Sequence, residues 1–253
     1  MALSIKKLLV SQPKPTSEKS PYFDIAEKYG VDIDFRPFIK VEPLTAKEFR
    51  QQRVAILDYS AVIFTARTAI DHFFRLCKEM RITVPETMKY FCVIETIALY
   101  IQKYVQYRKR KVFFGTTGKI ADLVPLMAKH KEEKYLVPMS EGHNEDVTKL
   151  LDAKKLKHQE CIMYRTVDND FNEEEKKAFD YDMVVFFSPM GVKALYKNFP
   201  NFKQDKIKIG TFGQGTAKAA QDEGLVLSLQ APTPKYPSMT SAMNAFLRDQ
   251  EED

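Results

Sequence analysis

The stretch Asp180-Tyr181-Asp182-Met183-Val184-Val185-Phe186-Phe187-Ser188-Pro189-Met190-Gly191-Val192-Lys193-Ala194-Leu195 decides how the chain folds. Two acids and a tyrosine lead into a continuous apolar run, which ends in Ser-Pro with a glycine just beyond. The run is short, β-branched and aromatic, as a strand buried on both faces must be. Beyond the glycine, Val192, Leu195, Tyr196 and Phe199 recur at helical spacing. The unit is strand, tight polar turn, helix. In a parallel α/β sheet that turn lies at the carboxyl end of the strand, where such folds bind ligands.

The same unit occurs earlier, as Asp58-Tyr59-Ser60-Ala61-Val62-Ile63-Phe64-Thr65-Ala66-Arg67-Thr68-Ala69-Ile70. Setting Asp58 on Asp180 gives an offset of 122 residues, at which Tyr59/Tyr181, Val62/Val184 and Phe64/Phe186 are also identical. Ile70 then meets Val192, and Phe74 meets Tyr196. Identity together with one strand–turn–helix pattern argues for an internal duplication.

Working outward, strands alternate with helices along the whole chain, which implies parallel sheets covered on both faces. Ile5 to Val10 reads as a first strand, and Ser20-Pro21 as an N-cap with proline at the first helical position. That helix reaches Tyr29 and Gly30 closes it. Lys111 to Phe114 reads as a strand, followed by the Gly115–Lys119 loop and a helix to about His130. Lys206 to Ile209 is a strand, Thr211 to Gly215 a loop and Thr216 to Glu223 a helix. A last helix begins near Thr240, and Arg248 to Asp253 is a frayed acidic tail. The first strand and helix lack a partner unit of their own size until the second copy arrives. The expectation is therefore a discontinuous domain, residues 1–39 plus 167–253, with a second domain, 42–164, inserted into it. The crossings lie at 39–43 and 164–167, both extended.

The 253 residues fit one or two domains, and 44% hydrophobic content supplies substantial cores. Apolar runs are far too short for a bilayer, so no membrane association is expected. Met1 to Val10 lacks the length of a signal-peptide core, which makes cytoplasmic residence the default. The three cysteines, Cys77, Cys92 and Cys161, have no paired spacing; they read as small buried hydrophobes, not as a disulfide frame or zinc site. Net charge is +5. The densest basic run, Arg108-Lys109-Arg110-Lys111, has no nucleic-acid-binding signature beside it and reads as a solvated helix end. A modest positive excess also suits an enzyme for a polyanionic small molecule.

Gly115-Thr116-Thr117-Gly118-Lys119-Ile120 has too few residues between its glycines for a P-loop, and isoleucine follows the lysine. An anion contact from its amides is the functional alternative to a plain turn. Gly210-Thr211-Phe212-Gly213-Gln214-Gly215-Thr216 follows a strand and opens a helix, but its glycines are not ordered as a dinucleotide fingerprint. It reads either as a tight turn or as a nest of N–H groups that, with the Thr216 hydroxyl, receives a carboxylate. The two readings do not exclude each other. The four histidines, His72, His130, His143 and His158, share no ligand spacing. Neither a metal, a cofactor box nor a nucleophile elbow is legible.

These residues resemble the uroporphyrinogen-III synthase family. Its pattern of Phe-(Thr or Phe)-Ser-Pro-x-Gly-Val is matched by Phe186 to Val192, and its later glycine–threonine–alanine segment by Thr211 to Leu225. Ala231-Pro232-Thr233-Pro234 approximates an Ala-x-x-Pro-Thr motif, and Tyr164-Arg165-Thr166 matches a strand ending in Tyr-x-Thr. Against the family pattern, Ala66 replaces a serine, a glycine near Val93–Glu95 is missing, and Gln12 stands where many relatives have a basic residue. The resemblance implies two flavodoxin-like domains joined by a two-stranded linker, with the active site in the cleft. It implies a cofactor-independent lyase of heme biosynthesis, which closes hydroxymethylbilane to uroporphyrinogen III with inversion of the last ring and loss of water.

The implied substrate carries an acetate and a propionate on each pyrrole. Substrate contacts are expected from Thr65, Ala66, Thr96, Gly118, Ser188, Pro189, Gly191, Gln214 and Thr216, with Tyr164 as proton donor. The structural alternative for Tyr164 is a tyrosine packed at a domain junction with its hydroxyl satisfied locally. No nucleic-acid partner is expected, and the oligomeric expectation is a monomer. Two other functions stay open: a non-catalytic two-lobed small-molecule sensor, and a response-regulator-like pair. The latter needs clustered acids after the first strand, where this chain has Ser11-Gln12-Pro13-Lys14.

Overall fold

The structure is a computed structural model that describes residues 5–143 and 145–252. Met1–Ser4, at the start of the stretch weighed as a signal segment, and Asp253, at the end of the acidic tail, lie outside the described residues. The strands are β1 Lys7–Val10, β2 Asp32–Phe35, β3 Ile39–Pro43, β4 Ala61–Phe64, β5 Lys89–Cys92, β6 Val112–Phe114, β7 Tyr135–Ser140, β8 His158–Asp168, β9 Met183–Phe186, β10 Lys208–Phe212 and β11 Leu227–Ala231. The α-helices are α1 Pro21–Tyr29, α2 Ala46–Gln51, α3 Arg67–Glu79, α4 Glu95–Tyr100, α5 Val124–Met127, α6 Asp146–Ala153, α7 Glu173–Lys177, α8 Pro189–Asn198, α9 Gln214–Asp222 and α10 Met239–Glu252.

The chain divides into two compact units. One comprises the residues up to Lys40 and those from Val167 onward; the other is Val41–Thr166. The first holds a five-stranded sheet in the order β11-β10-β9-β1-β2, parallel throughout. Successive residues of its central strands face opposite ways, because strand periodicity is two. Leu8, Val10, Met183 and Val185 pack beneath α1 and α10, while Leu9, Val184, Phe186 and Ile209 pack beneath α8 and α9. Both faces are thus covered by helices, which is why β9 is apolar at every position.

The second unit holds a six-stranded sheet in the order β3-β8-β7-β4-β5-β6, with parallel pairing from β8 through β6. β4 is buried at all of its residues. One core runs from Phe49 to Tyr164, centred on Phe64, Phe73, Phe91 and Tyr135.

The internal repeat is visible residue by residue. β4 and β9 begin at Ala61 and Met183, and α3 and α8 at Arg67 and Pro189; both pairs keep the offset of 122. In each sheet the chain winds in both directions from this region. β2 lies on one side of β1, and β9 to β11 on the other. β5 and β6 lie on one side of β4, and β7 and β8 on the other. The two switch points are β1/β9 and β4/β7, and sheets of this kind bind ligands at the carboxyl ends of the strands beside them.

Three local readings are corrected. The stretch up to His130 is not one helix: a 3-10 turn Ile120–Leu123 is followed by α5 and a second 3-10 turn Ala128–His130. Pro125 lacks an N–H and starts a new turn rather than continuing the old one. Thr211 and Phe212 belong to β10: Thr211 pairs with Phe186 of β9 and Gln230 of β11, and Phe212 with Ala231 of β11. Helix α9 then begins at Gln214, two residues before Thr216. The acidic tail continues α10 to Glu252 instead of fraying at Arg248. Among the described residues no helix is long and apolar enough to cross a membrane.

Candidate active site

Strand ends place most of the sequence-selected residues. After β4, Thr65 precedes Ala66, the N-cap of α3 (φ −149°, ψ 155°). After β9, Phe187 precedes Ser188, the N-cap of α8 (φ −151°, ψ 151°). After β5, Val93 precedes Ile94, the N-cap of α4 (φ −152°, ψ 157°), and Thr96 is the second residue of that helix. One backbone turn is used three times. The turn after β10 is one residue shorter, and Gly213 makes it with φ 89°, a conformation that glycine adopts without strain.

These helix starts differ in how their N–H groups are used. The first four N–H groups of a helix have no partner within it. At α8 the Ser188 hydroxyl accepts from the Gly191 N–H at 3.0 Å, while the hydroxyl's own proton has no partner among the described residues. Gly191 is buried, and a Cβ there would stand 3.3 Å from Ser188 Oγ, so the cap needs a small residue. The starts of α3 and α9 have no side-chain cap. By contrast α2 and α7 are closed by complete capping boxes, Thr45 with Glu48 and Asn172 with Glu175.

Around the open ends, the side chains of Thr65, Thr96, Gln214 and Thr216 make no hydrogen bond among the described residues. Thr216 is nonetheless buried, at 3% exposure. A Cβ on Gly215 would lie 3.8 Å from Pro189 Cγ, so the starts of α8 and α9 adjoin. Pro189 and Gln214 are exposed at their rim. Helix starts with unfilled amides and hydroxyls, their dipoles aimed outward, have the chemistry to hold anions.

The Gly115–Lys119 loop behaves otherwise. The Asp122 carboxylate accepts the Thr116 and Thr117 N–H groups at 3.1 and 2.6 Å, and both threonine hydroxyls as well. These bonds hold Asp122 below the usual carboxylate range. The nest is filled by the chain's own acid, and Gly118 (φ 80°) sits exposed at its tip.

Tyr164 lies within β8, not in a turn. It is buried, and its phenol makes no hydrogen bond among the described residues. The ring lies against His72 of α3, with centroids 5.0 Å apart and planes 20° from parallel. Burial raises the Tyr164 pKa, so the phenol keeps its proton. Sequence reasoning passed over His72 as one of four unspaced histidines. Its signal was its place beside Ala69, Phe73 and Leu76 on the buried stripe of α3.

One further cluster could suggest a metal. His130, Glu132 and Glu133 offer donor atoms within 4.8 Å of one another. The Lys89 ammonium already bonds Glu133 and lies 3.3 Å from His130 Nδ1, so the position of a cation is taken by the chain's own charge.

The family described as Uroporphyrinogen-III synthase HemD matches residues 20–241. The chain belongs to the uroporphyrinogen-III synthase family. A Schizosaccharomyces pombe uroporphyrinogen-III synthase is 23% identical over 244 residues, covering 89% of this chain and 92% of that relative. Two solved structures share the fold. Uroporphyrinogen-III synthetase from Helicobacter pylori superposes with TM-score 0.63 at 13% identity, covering 96% of this chain and 99% of that one. A mutant uroporphyrinogen III synthase from the extremely thermophilic bacterium Thermus thermophilus gives 0.55 at 15% identity, covering 98% and 100%. The expected parallel α/β architecture is thus the architecture of this enzyme family.

Proposed function

We propose that the chain is a lyase that converts hydroxymethylbilane to uroporphyrinogen III, losing water and inverting the last ring. Membership of the uroporphyrinogen-III synthase family across residues 20–241 is the observation that carries this reading. The site chemistry supports it. The substrate is rich in carboxylates, and the open starts of α3 and α9 offer uncompensated N–H groups with Thr65 and Thr216 beside them. Ser188 keeps a hydroxyl proton to donate, and Thr96 and Gln214 add side chains without partners among the described residues.

Tyr164 is the proposed proton donor. Hydroxide leaves the hydroxymethyl carbon, pushed by the pyrrole nitrogen's electrons, and takes the phenolic proton to become water. The azafulvene cation is attacked by the substituted carbon of the terminal pyrrole, giving a spiro intermediate. That intermediate reopens and recloses with the ring inverted. The proton lost as the last pyrrole regains aromaticity restores the phenol, so the sequence balances as loss of one water. A protonated phenol suits this role, and burial keeps Tyr164 in that form. The rest of the work is geometric: holding the bilane so that its ends meet in the inverting arrangement.

The test is direct. The purified chain is given hydroxymethylbilane, and the products are oxidised and separated by chromatography. Type III in clear excess over the protein-free control supports the reading; type I alone, at the control rate, removes it.

A further inference from the structure

We infer that His72 is a positioning residue for Tyr164, holding the phenol ring by stacking and so aiming a hydroxyl that bonds no described residue; the inference rests on the reading of Tyr164 as proton donor. A phenol that donates to a substrate cannot spend its proton on a permanent partner. The Tyr164 hydroxyl has none among the described residues, so its direction must come from ring packing. The His72 ring supplies a flat surface at 5.0 Å and 20°, which is offset-stacking geometry.

The imidazole is a costly way to fill that space. His72 Nδ1 is buried without a hydrogen-bond partner among the described residues. Leucine would occupy similar volume with no orphaned nitrogen. Packing alone therefore does not account for histidine here. An orphaned lone pair costs less than an orphaned N–H, which places the ring proton on Nε2. Burial and the nearby Arg75 hold the imidazole pKa down, against a smaller opposing pull from Asp71. A neutral ring stacks on the phenol without stabilising a phenolate, so it leaves the donor protonated.

The two elements that carry the pair are pinned together. Three residues along α3 from His72, Arg75 donates from Nη2 to the Leu44 carbonyl at 2.5 Å. The Leu44 N–H in turn donates to the carbonyl of Met163, next to Tyr164, at 3.0 Å. Leu44 thus bridges helix and strand, and the stack inherits that link.

The experiment measures kcat and KM for hydroxymethylbilane in His72→Ala, His72→Leu and His72→Phe, each in the wild-type and the Tyr164→Phe background. Loss of one stacked pair corresponds to a roughly 3- to 10-fold change. His72→Ala and His72→Leu should lower kcat by that factor with KM within twofold, and His72→Phe should recover most of the loss. In the Tyr164→Phe background the same changes should slow the enzyme less than twofold. His72→Leu fills the volume without a flat ring, so it carries the test if the alanine variant fails to fold. Wild-type kcat in folded His72→Leu overturns the inference, as does an equal loss in both backgrounds. A wild-type rate in Tyr164→Phe instead removes the donor reading itself, and the inference with it.

Discussion

Replacing Thr216 with valine should separate ligand binding from folding. Both residues are β-branched, so the helix loses nothing in rotamer freedom, and a methyl takes the place of the hydroxyl. Thr216 is 3% exposed, and its hydroxyl bonds no described residue. Removing a hydroxyl that bonds no described residue and is not among the fully buried unpaired atoms should change stability by less than about 1 kcal/mol. If the hydroxyl donates to a substrate carboxylate, binding loses one charge-assisted hydrogen bond, worth roughly 1.5–3 kcal/mol. Water can solvate a carboxylate at an accessible helix start, so the lower end applies, and kcat/KM should fall roughly tenfold. Ser188→Ala provides the contrast. Its oxygen caps α8 through Gly191 N–H, so that variant should lose about 1 kcal/mol of stability as well as binding. The assays are steady-state kinetics with hydroxymethylbilane and urea unfolding on the same preparations. Unchanged kinetics in a folded Thr216→Val protein refute the binding role. A stability loss above about 2 kcal/mol would show that the hydroxyl has a structural partner.

Two further outcomes follow from local geometry. Gly213→Ala should destabilise the protein by about 1–2 kcal/mol, measured by thermal unfolding, because φ is 89° and no atom lies within 4 Å of an added Cβ; the cost is conformational only. Acid should loosen the α2 region. Bonds from Thr45 and Arg165 lower the Glu48 pKa from 4.5 to about 2. Its stabilisation is present above the unfolded value and is lost as pH falls from about 4.5 towards about 2. Thr45→Ala should shrink that loss in acid-unfolding curves.

The repeated unit was legible because burial on both faces leaves β4 and β9 no polar position, and a short apolar run between turn residues has one reading. The turn after β10 was less so. Gly210 and Gly213 made Thr211 and Phe212 look like loop, yet pairing of Thr211 with β9 and of both residues with β11 extends the strand through them. That pairing is tertiary and leaves no local mark. Likewise the Thr116 and Thr117 amides looked open to an anion until Asp122, several residues on, folded back onto them. His72 could be placed on a helical stripe from the sequence, but its stacking on Tyr164 joins residues far apart in the chain. Thr65, Ser188 and Thr216 could be singled out because each strand–turn–helix unit puts its turn residues at the carboxyl edge of its own parallel sheet.

The central chemical claim is that the Tyr164 phenol gives up the proton that turns leaving hydroxide into water. Single-turnover conversion of hydroxymethylbilane by Tyr164→Phe, with enzyme in excess and the product isomer read by chromatography, tests it most directly. Phenylalanine keeps the ring against His72 and removes only the proton. The rate should be slower by roughly ten- to a thousand-fold, the range for acid–base groups, with type III still the enzymatic product. A wild-type rate of type III formation would contradict it and leave positioning as the whole mechanism.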